Sequence, residues 1–286
     1  MLLLAFGIHL GFCATIAWQT VRPKNAKLTD SPRSARLPFE SVEFHSSDGT
    51  RLVGWYIPAA PKPRGVVVLC HGVDSDRTAM LWKAEILHKA GFASLLFDFR
   101  GRGESAPSLC TIGYREVDDM LAAIDFVRSR PDAATLPLGV LGESQGAAVA
   151  LMGTARSLDV RAVVAESPFA RLDHAVANHF AKVLGWCSPV VAWPTQKMGE
   201  LLIRKRCCDV SPADEIKRIA PRPILLIQDG DDRLCPPAET AELLSAAGPN
   251  ASLWTVPGAD HVQAEYIAQD EFEKRVVAFF GKALKP

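Results

Sequence analysis

The feature that most constrains the fold of this sequence is the pentapeptide GESQG at residues 142–146. An apolar run, residues 136–141, precedes it, and a second apolar run, residues 147–152, follows. This order predicts a strand, a sharp Gly-x-Ser-x-Gly turn and a buried helix. Such a turn strains the backbone at the serine, lifts its hydroxyl clear of the chain, and leaves no room for a Cβ at either glycine. The pentapeptide therefore marks Ser144 as a candidate nucleophile.

Strands and helices alternate along much of the chain. Continuous apolar runs at residues 65–70, 92–97 and 160–165 predict strands that are buried on both faces of a parallel sheet. Segments with helical periodicity lie between them. Near the start, Asp48-Gly49 separates two strand-like runs, which predicts a hairpin. We therefore expect an α/β fold, with a mostly parallel central sheet, an antiparallel N-terminal hairpin and helices on both faces.

Polar residues follow the predicted strands where these end. They are His71, Asp98, Ser144, the aspartates within residues 229–232, and His261. In open α/β sheets, active sites lie outside the carboxyl ends of the strands. We therefore expect these residues to surround a single site.

A serine hydroxyl is a weak nucleophile until a base takes its proton. His261, just after the last predicted strand, is the best-placed base in the sequence. His71 precedes the glycine of the first loop, where it is better suited to holding that loop. The remaining histidines lie in the N-terminal apolar run, on a strand, on a helix or in an irregular segment.

The base needs a carboxylate to orient it, and the attacked carbonyl needs hydrogen-bond donors. Three aspartates compete for the first role, namely Asp229, Asp231 and Asp232, and chemistry alone does not choose among them. The backbone amides of Gln145, at the start of the predicted helix, and of Val73, in the first loop, are the candidate oxyanion donors.

The order Ser, Asp, His, each at a strand end, resembles the α/β-hydrolase superfamily from about residue 39 to the C terminus. Residues 71–72 resemble its His-Gly loop, and residues 98–105 resemble its Asp-x-Arg-Gly-x-Gly-x-Ser loop. In this superfamily the acid usually stands four residues before a proline. The resemblance therefore implies Asp232 as the acid and leaves Asp231 as a minor rival.

Residues 166–169 (ESPF) are similar to a segment of the prolyl-oligopeptidase-like and serine-aminopeptidase-like domains. The resemblance implies a serine hydrolase that forms an acyl-enzyme on a small-molecule acyl substrate. Few acidic residues occupy residues 172–206, where an aminopeptidase would need them, so a carboxylic ester is the expected substrate. A thioester or amide remains open. The alternatives are a peptidase of the same fold and a non-catalytic, membrane-tethered binding protein.

Composition argues against several other functions. The formal net charge of +0, without a basic stripe, gives no reason to expect nucleic acid. No Gly-x-Gly-x-x-Gly opens a helix after a strand, so we expect no nucleotide cofactor. The seven cysteines show no zinc-binding spacing and no pattern of a disulfide framework. We therefore expect free thiols, no metal and no cofactor.

The N-terminal part differs from the rest. Residues 2–18 carry no Asp, Glu, Lys or Arg, and their number lies within the range for a spanning helix. Residues 1–20 therefore predict a single-pass membrane anchor or an uncleaved signal, and residues 21–38 a linker. A buried core helix is the less favoured alternative, because Pro23 and the polar stretch that follows indicate a linker. The basic residues that follow favour a cytoplasmic catalytic domain. That domain is expected at residues 39–286, with a lid-like insertion at residues 172–206.

Overall fold

The computed structural model describes residues 2–22, 27–59 and 62–285 of the chain. In these ranges the strands are joined into one eight-stranded sheet. In chain order they are β1 (Glu40–His45), β2 (Arg51–Ile57), β3 (Val66–Cys70), β4 (Ala93–Phe97), β5 (Leu138–Glu143), β6 (Val160–Glu166), β7 (Ile224–Asp229) and β8 (Ala251–Val256).

Helices follow most of the strands and also precede the first. They are α1 (Leu2–Val21), α2 (Leu81–Lys89), α3 (Glu116–Ser129), α4 (Gln145–Arg156), α5 (Leu172–Leu184), α6 (Ser188–Ile203), α7 (Pro212–Glu215), α8 (Pro237–Ala247), α9 (Ala264–Ile267) and α10 (Gln269–Ala283). Short 3₁₀ turns lie at Arg77–Met80, Gly185–Cys187, Cys207–Asp209 and Ile216–Ile219.

The sheet has the strand order β1-β2-β4-β3-β5-β6-β7-β8. Strand β2 runs antiparallel to both of its neighbours, and all other neighbouring strands are parallel. At the β1–β2 turn, Gly49 has a φ of +82°, a conformation that glycine adopts without steric cost. The predicted fold class, including the antiparallel hairpin, is confirmed.

Strand β3 shows why the central strands read as uninterrupted apolar runs. Its five residues are fully buried, and they alternate between two cores. Val66, Val68 and Cys70 pack with residues of α3 and α4, whereas Val67 and Leu69 pack with residues of α2 and α10. Helices on both faces leave no polar side of the strand, so no polar alternation marks its sequence.

The N-terminal helix α1 packs against α6. Its Cys13, Ala17 and Val21 are buried, and the His9 Nε2 atom lies 3.0 Å from the carbonyl oxygen of Val190. Within the described residues, no helix is long and apolar enough to cross a membrane. The predicted membrane anchor is therefore wrong, and with it the predicted placement of a tethered domain on the cytoplasmic side. One face of the apolar run packs against α6, and large side chains such as Phe6 and Ile8 are exposed.

The structure describes part of the predicted linker and all of the predicted insertion. Residues 23–26 of the predicted linker lie outside the described ranges, and further along the linker Leu37 is buried in the core. Helices α5 and α6 occupy the predicted insertion and pack against each other. Because α1 packs on α6, we call α1, α5 and α6 together the cap layer.

Candidate active site

Ser144 lies on the sharp turn between β5 and α4. Its φ of +52° is strained for a residue with a side chain, and the surrounding structure holds it there. A Cβ on Gly142 would strike the carbonyl of Gly146, and a Cβ on Gly146 would strike the carbonyl of Cys70 on β3. Both glycines are therefore required by close packing, as the sequence predicts.

A chain of hydrogen bonds joins the three predicted catalytic side chains. The Nε2 atom of His261 lies 2.8 Å from the Ser144 Oγ, and its Nδ1 atom lies 2.7 Å from the Asp232 Oδ2. The other carboxylate oxygen of Asp232 accepts the backbone N–H groups of Leu234 at 2.8 Å and Cys235 at 2.9 Å. These amides fix the carboxylate, which in turn orients the imidazole.

The tautomer of His261 follows from its partners. A carboxylate without a proton can only accept, so His261 donates its Nδ1–H to Asp232. The lone pair on Nε2 then faces the Ser144 hydroxyl. In this arrangement the imidazole can remove the serine proton, and the nearby carboxylate stabilises the cation that forms.

The two rival aspartates occupy other positions. Asp231 is exposed at the surface. Asp229 is buried, and its Oδ2 accepts the Ser167 hydroxyl and, at 2.9 Å, the N–H of Val262. Burial raises the pKa of Asp229. Since Val262 follows His261 and has a φ of +55°, Asp229 holds the histidine loop in a strained conformation.

Both candidate oxyanion donors lie beside Ser144. Val73 and Gln145 line the same cavity as the serine, because β3 and β5 are neighbouring parallel strands. Gln145 is the first residue of α4, where backbone amides are free of helical partners. Asp74, the residue after Val73, pairs with Arg102 at 2.9 Å.

His71 bridges this loop to the next strand end. Its Nε2 accepts the N–H of Phe99 at 3.1 Å, which leaves Nδ1 to donate to the Gly72 carbonyl at 2.7 Å. Burial lowers the pKa of His71 to about 4, so the ring is neutral at neutral pH. His71 therefore holds the loop, as its sequence position suggests.

Comparison with known proteins identifies the family. Residues 61–211, more than half of the chain, match the family described as "Serine aminopeptidase, S33". The chain belongs to this α/β-hydrolase family. Protein Rv2307c of Mycobacterium tuberculosis is 32% identical to it over 229 residues, which cover 79% of this chain and 73% of that protein.

Solved structures of hydrolases share the fold. Esterase Pf2001 of Pyrococcus furiosus is similar with a TM-score of 0.78 and 26% identity, over 92% of this hydrolase and 100% of the esterase chain. Acylaminoacyl peptidase of Pyrococcus horikoshii has the same fold, with a TM-score of 0.69 and 20% identity over 87% of this chain and 42% of that chain. The family match and the likeness to the esterase support a hydrolase and do not favour a non-catalytic binding protein, whereas the peptidase shows the shared fold alone.

A buried charge cluster behind the nucleophile of this hydrolase was not foreseen from the sequence. The Lys83 Nζ lies 3.0 Å from Glu143, 2.5 Å from Glu265 and 3.5 Å from Glu166, and it is fully buried. Burial disfavours the ammonium, but the carboxylates of Glu143 and Glu265 beside it outweigh burial and hold the pKa of Lys83 well above its usual value. The lysine therefore stays charged inside the protein.

Two members of this cluster are linked to the nucleophile through the backbone. Glu143 immediately precedes Ser144 and also accepts the N–H of Gly72 at 3.4 Å. The backbone carbonyl of Glu166 accepts the N–H of Ser144 at 2.9 Å. Burial raises the pKa of the Glu166 carboxyl to about 8, with Glu143 adding to the effect against Lys83, so the group is largely protonated at neutral pH. A lysine on a predicted helix gave no sign of this role, because such lysines are usually exposed.

One set of side chains in the described part of the hydrolase could bring three donors to a metal ion. Atoms of Asp232, Cys235 and His261 lie within 4.8 Å of one another. Two of these residues already hydrogen-bond each other, and burial raises the pKa of the Cys235 thiol, which disfavours the thiolate that a metal needs. The donor set therefore fits a proton relay better than a metal. All seven cysteines are free in the structure.

Proposed function

We propose that this chain is a serine hydrolase of carboxylic esters, with Ser144 as nucleophile, His261 as general base and Asp232 as the orienting acid. The observation that carries the proposal is the continuous hydrogen-bonded relay, with 2.7 Å from Asp232 to His261 and 2.8 Å from His261 to Ser144. All three side chains follow strand ends in this fold, where such enzymes place their chemistry.

In the proposed reaction, His261 takes the proton of Ser144 as its oxygen attacks the ester carbonyl. The backbone amides of Val73 and Gln145 donate to the resulting oxyanion. The intermediate collapses when protonated His261 gives its proton to the leaving alcohol, which leaves an acyl group on Ser144. Water, deprotonated by His261, then attacks the acyl-enzyme, and His261 returns the proton to the Ser144 oxygen as the acid leaves.

An ester is preferred over a peptide because of what lines the cavity at Ser144. Among the described lining residues a single one, Asp74, is acidic, and it already pairs with Arg102. A peptide with a free amino group would need a carboxylate partner there, since an unpaired ammonium loses its hydration on binding. The esterase of Pyrococcus furiosus adds support, at 26% identity over nearly the whole chain.

The test is hydrolysis of p-nitrophenyl butyrate and of alanine p-nitroanilide by the full chain. We expect turnover of the ester, much slower turnover of the anilide, and a loss of about 10⁴-fold or more in the Ser144→Ala variant. Ser129→Ala, at an exposed serine of α3, is the control and should behave as the wild type. Unchanged ester hydrolysis by Ser144→Ala would contradict the assignment, and a faster anilide reaction would point to a peptidase.

A further inference from the structure

The cavity at Ser144 extends well beyond the reacting atoms. It has a volume of about 400 Å³, within the range of sites that enclose small molecules. Much of its wall comes from the cap layer rather than from the sheet. Among the apolar lining residues of α1, α5 and α6 are Phe12, Ile16, Val21, Val176, Phe180 and Ile203.

The wall carries very little charge. The described lining residues include no lysine or arginine, and the acid, Asp74, is turned to its Arg102 partner. Polar lining side chains such as Thr20, His179 and Gln196 are outnumbered by apolar ones, so a polar group placed in the cavity would regain few of its hydrogen bonds to water. The cavity therefore suits a mainly apolar group.

Helix α1 is fixed to the rest of the protein at two points. Near its middle, Cys13 is buried, and His9 lies 3.0 Å from the Val190 carbonyl on α6. At its end, the carbonyl of Val21 accepts the N–H of Cys110, a residue that also lines the cavity, at 2.9 Å. The helix is therefore a built wall of the cavity.

The volume sets the size of the occupant. A methylene group is similar in size to water, which takes about 30 Å³ in the liquid, so the cavity has room for about a dozen heavy atoms. A carboxyl group at Ser144 followed by a chain of about six to ten carbons matches this space.

We propose that α1, α5 and α6 form a binding site for one aliphatic chain of the substrate, of about six to ten carbons, and that α1 is a specificity-determining wall of this site. The proposal rests on the proposed esterase function and names its substrate class. The chain enters the apolar cavity while the ester carbonyl stays at Ser144.

The test measures kcat/KM of the full polypeptide chain for esters whose acyl chains differ in length. We expect kcat/KM to rise by about threefold to fourfold per buried methylene, or about a thousandfold from p-nitrophenyl acetate to octanoate, and to fall again beyond decanoate. Ethyl and octyl acetate form a second series, which reports a chain on the alcohol side. A flat profile in both series, with acetate still hydrolysed, would overturn the chain site and leave the esterase assignment standing. Absence of any hydrolysis would count against the esterase assignment itself.

A glycine of α6 offers a sharper test. Gly199 lines the cavity, and a Cβ built on it meets no atom within 4 Å, so Gly199→Phe should place a ring in the space of the chain without a clash. We expect the octanoate-to-acetate ratio of kcat/KM to fall about tenfold. Gly11→Phe is the matched control, since Gly11 of α1 is equally open but does not line the cavity.

If Gly199→Phe does not fold, a second pair of variants, both on α1, provides the test. Ala17 is buried and lines the cavity, whereas Ala14, on the same helix, is exposed. Ala17→Leu should shift the best substrate to a shorter chain, and Ala14→Leu should not. An unchanged ratio in the folded Ala17→Leu variant would overturn the role of α1.

Discussion

The two sides of the catalytic cavity are built by different chemistry. On the sheet side, Ser144, Asp232 and Glu166 are buried, and each is held through hydrogen bonds that fix its backbone or side chain. In the cap layer and its connection, Trp193 is 65% and Trp186 is 92% exposed. The first side holds polar groups in fixed geometry, whereas the second supplies mainly apolar surface. We therefore expect changes on the sheet side to alter rate or stability, and changes in the cap layer to alter the choice of substrate.

The largest effect is expected at the acid of the relay. Asp232→Asn removes the charge that orients His261 and favours the wrong tautomer, so kcat should fall by about 10⁴-fold while the fold is kept. Asp231→Asn, one residue earlier and exposed, is the matched control and should leave kcat nearly unchanged. Ester kinetics and circular dichroism check both. Equal losses in the two variants would break the distinction between the aspartates.

The buried lysine should be the next most sensitive point. Lys83→Met leaves Glu143 and Glu265 buried without their cation, so the free energy of unfolding should fall by about 3–5 kcal/mol. Lys89→Met, on the same helix α2, removes an exposed lysine paired with Glu85 at 2.8 Å. This variant should change the free energy of unfolding little. Urea denaturation measures both, and coincident midpoints would show that the cluster contributes no stability.

The protonated carboxyl of Glu166 predicts a pH dependence. Its pKa is raised from 4.5 to about 8 on folding, so the folded state keeps a proton that the unfolded chain has released. The free energy of unfolding of the wild type should therefore decline as the pH rises from about 5 to 8. Glu166→Gln has no carboxyl to titrate. The difference in free energy of unfolding between Glu166→Gln and the wild type should therefore grow in favour of the variant by about 3 kcal/mol over that range. If the stability of Glu166→Gln and that of the wild type changed with pH in parallel, the raised pKa of Glu166 would be contradicted. Glu242→Gln, at an exposed glutamate, is the control.

The smallest effect is expected in the exposed turn that connects α5 and α6 of the cap layer. Trp186→Gln removes a side chain that is 92% exposed, so the free energy of unfolding should change by no more than about 0.5 kcal/mol. The same substitution at Trp55, which is 4% exposed on β2, should cost several times as much. Thermal unfolding compares them. A large loss at Trp186 would mean that the cap layer is as tightly built as the sheet.

Much of the fold could be predicted because periodicity reports burial directly. The β3 run is apolar on both faces, and the Asp48-Gly49 turn sets the hairpin. The placement of Ser144 and His261 at strand ends follows from topology, since parallel strands bring these ends to one edge. The structure brings Asp232 to His261, the aspartate that the resemblance to the α/β hydrolases implied. The catalytic roles themselves remain predictions.

Other features could not be read from the sequence. An apolar run without charge has the same pattern whether it crosses a membrane or packs on its own protein, so the sequence did not select the packing of α1 on α6 over an anchor. The cluster of Lys83 with Glu143, Glu166 and Glu265 joins residues far apart in the chain, and no local pattern marks it. Charged residues read as exposed unless their partners are known.

The most direct test of the central claim is covalent labelling of the full chain with a fluorophosphonate, read by intact mass and by peptide mapping. A fluorophosphonate reacts with a serine only when a base has activated it. The account predicts a single adduct on Ser144 of the wild type and no adduct on Ser144→Ala. A folded wild type that stays unlabelled, or a Ser144→Ala variant that is still labelled, would contradict it.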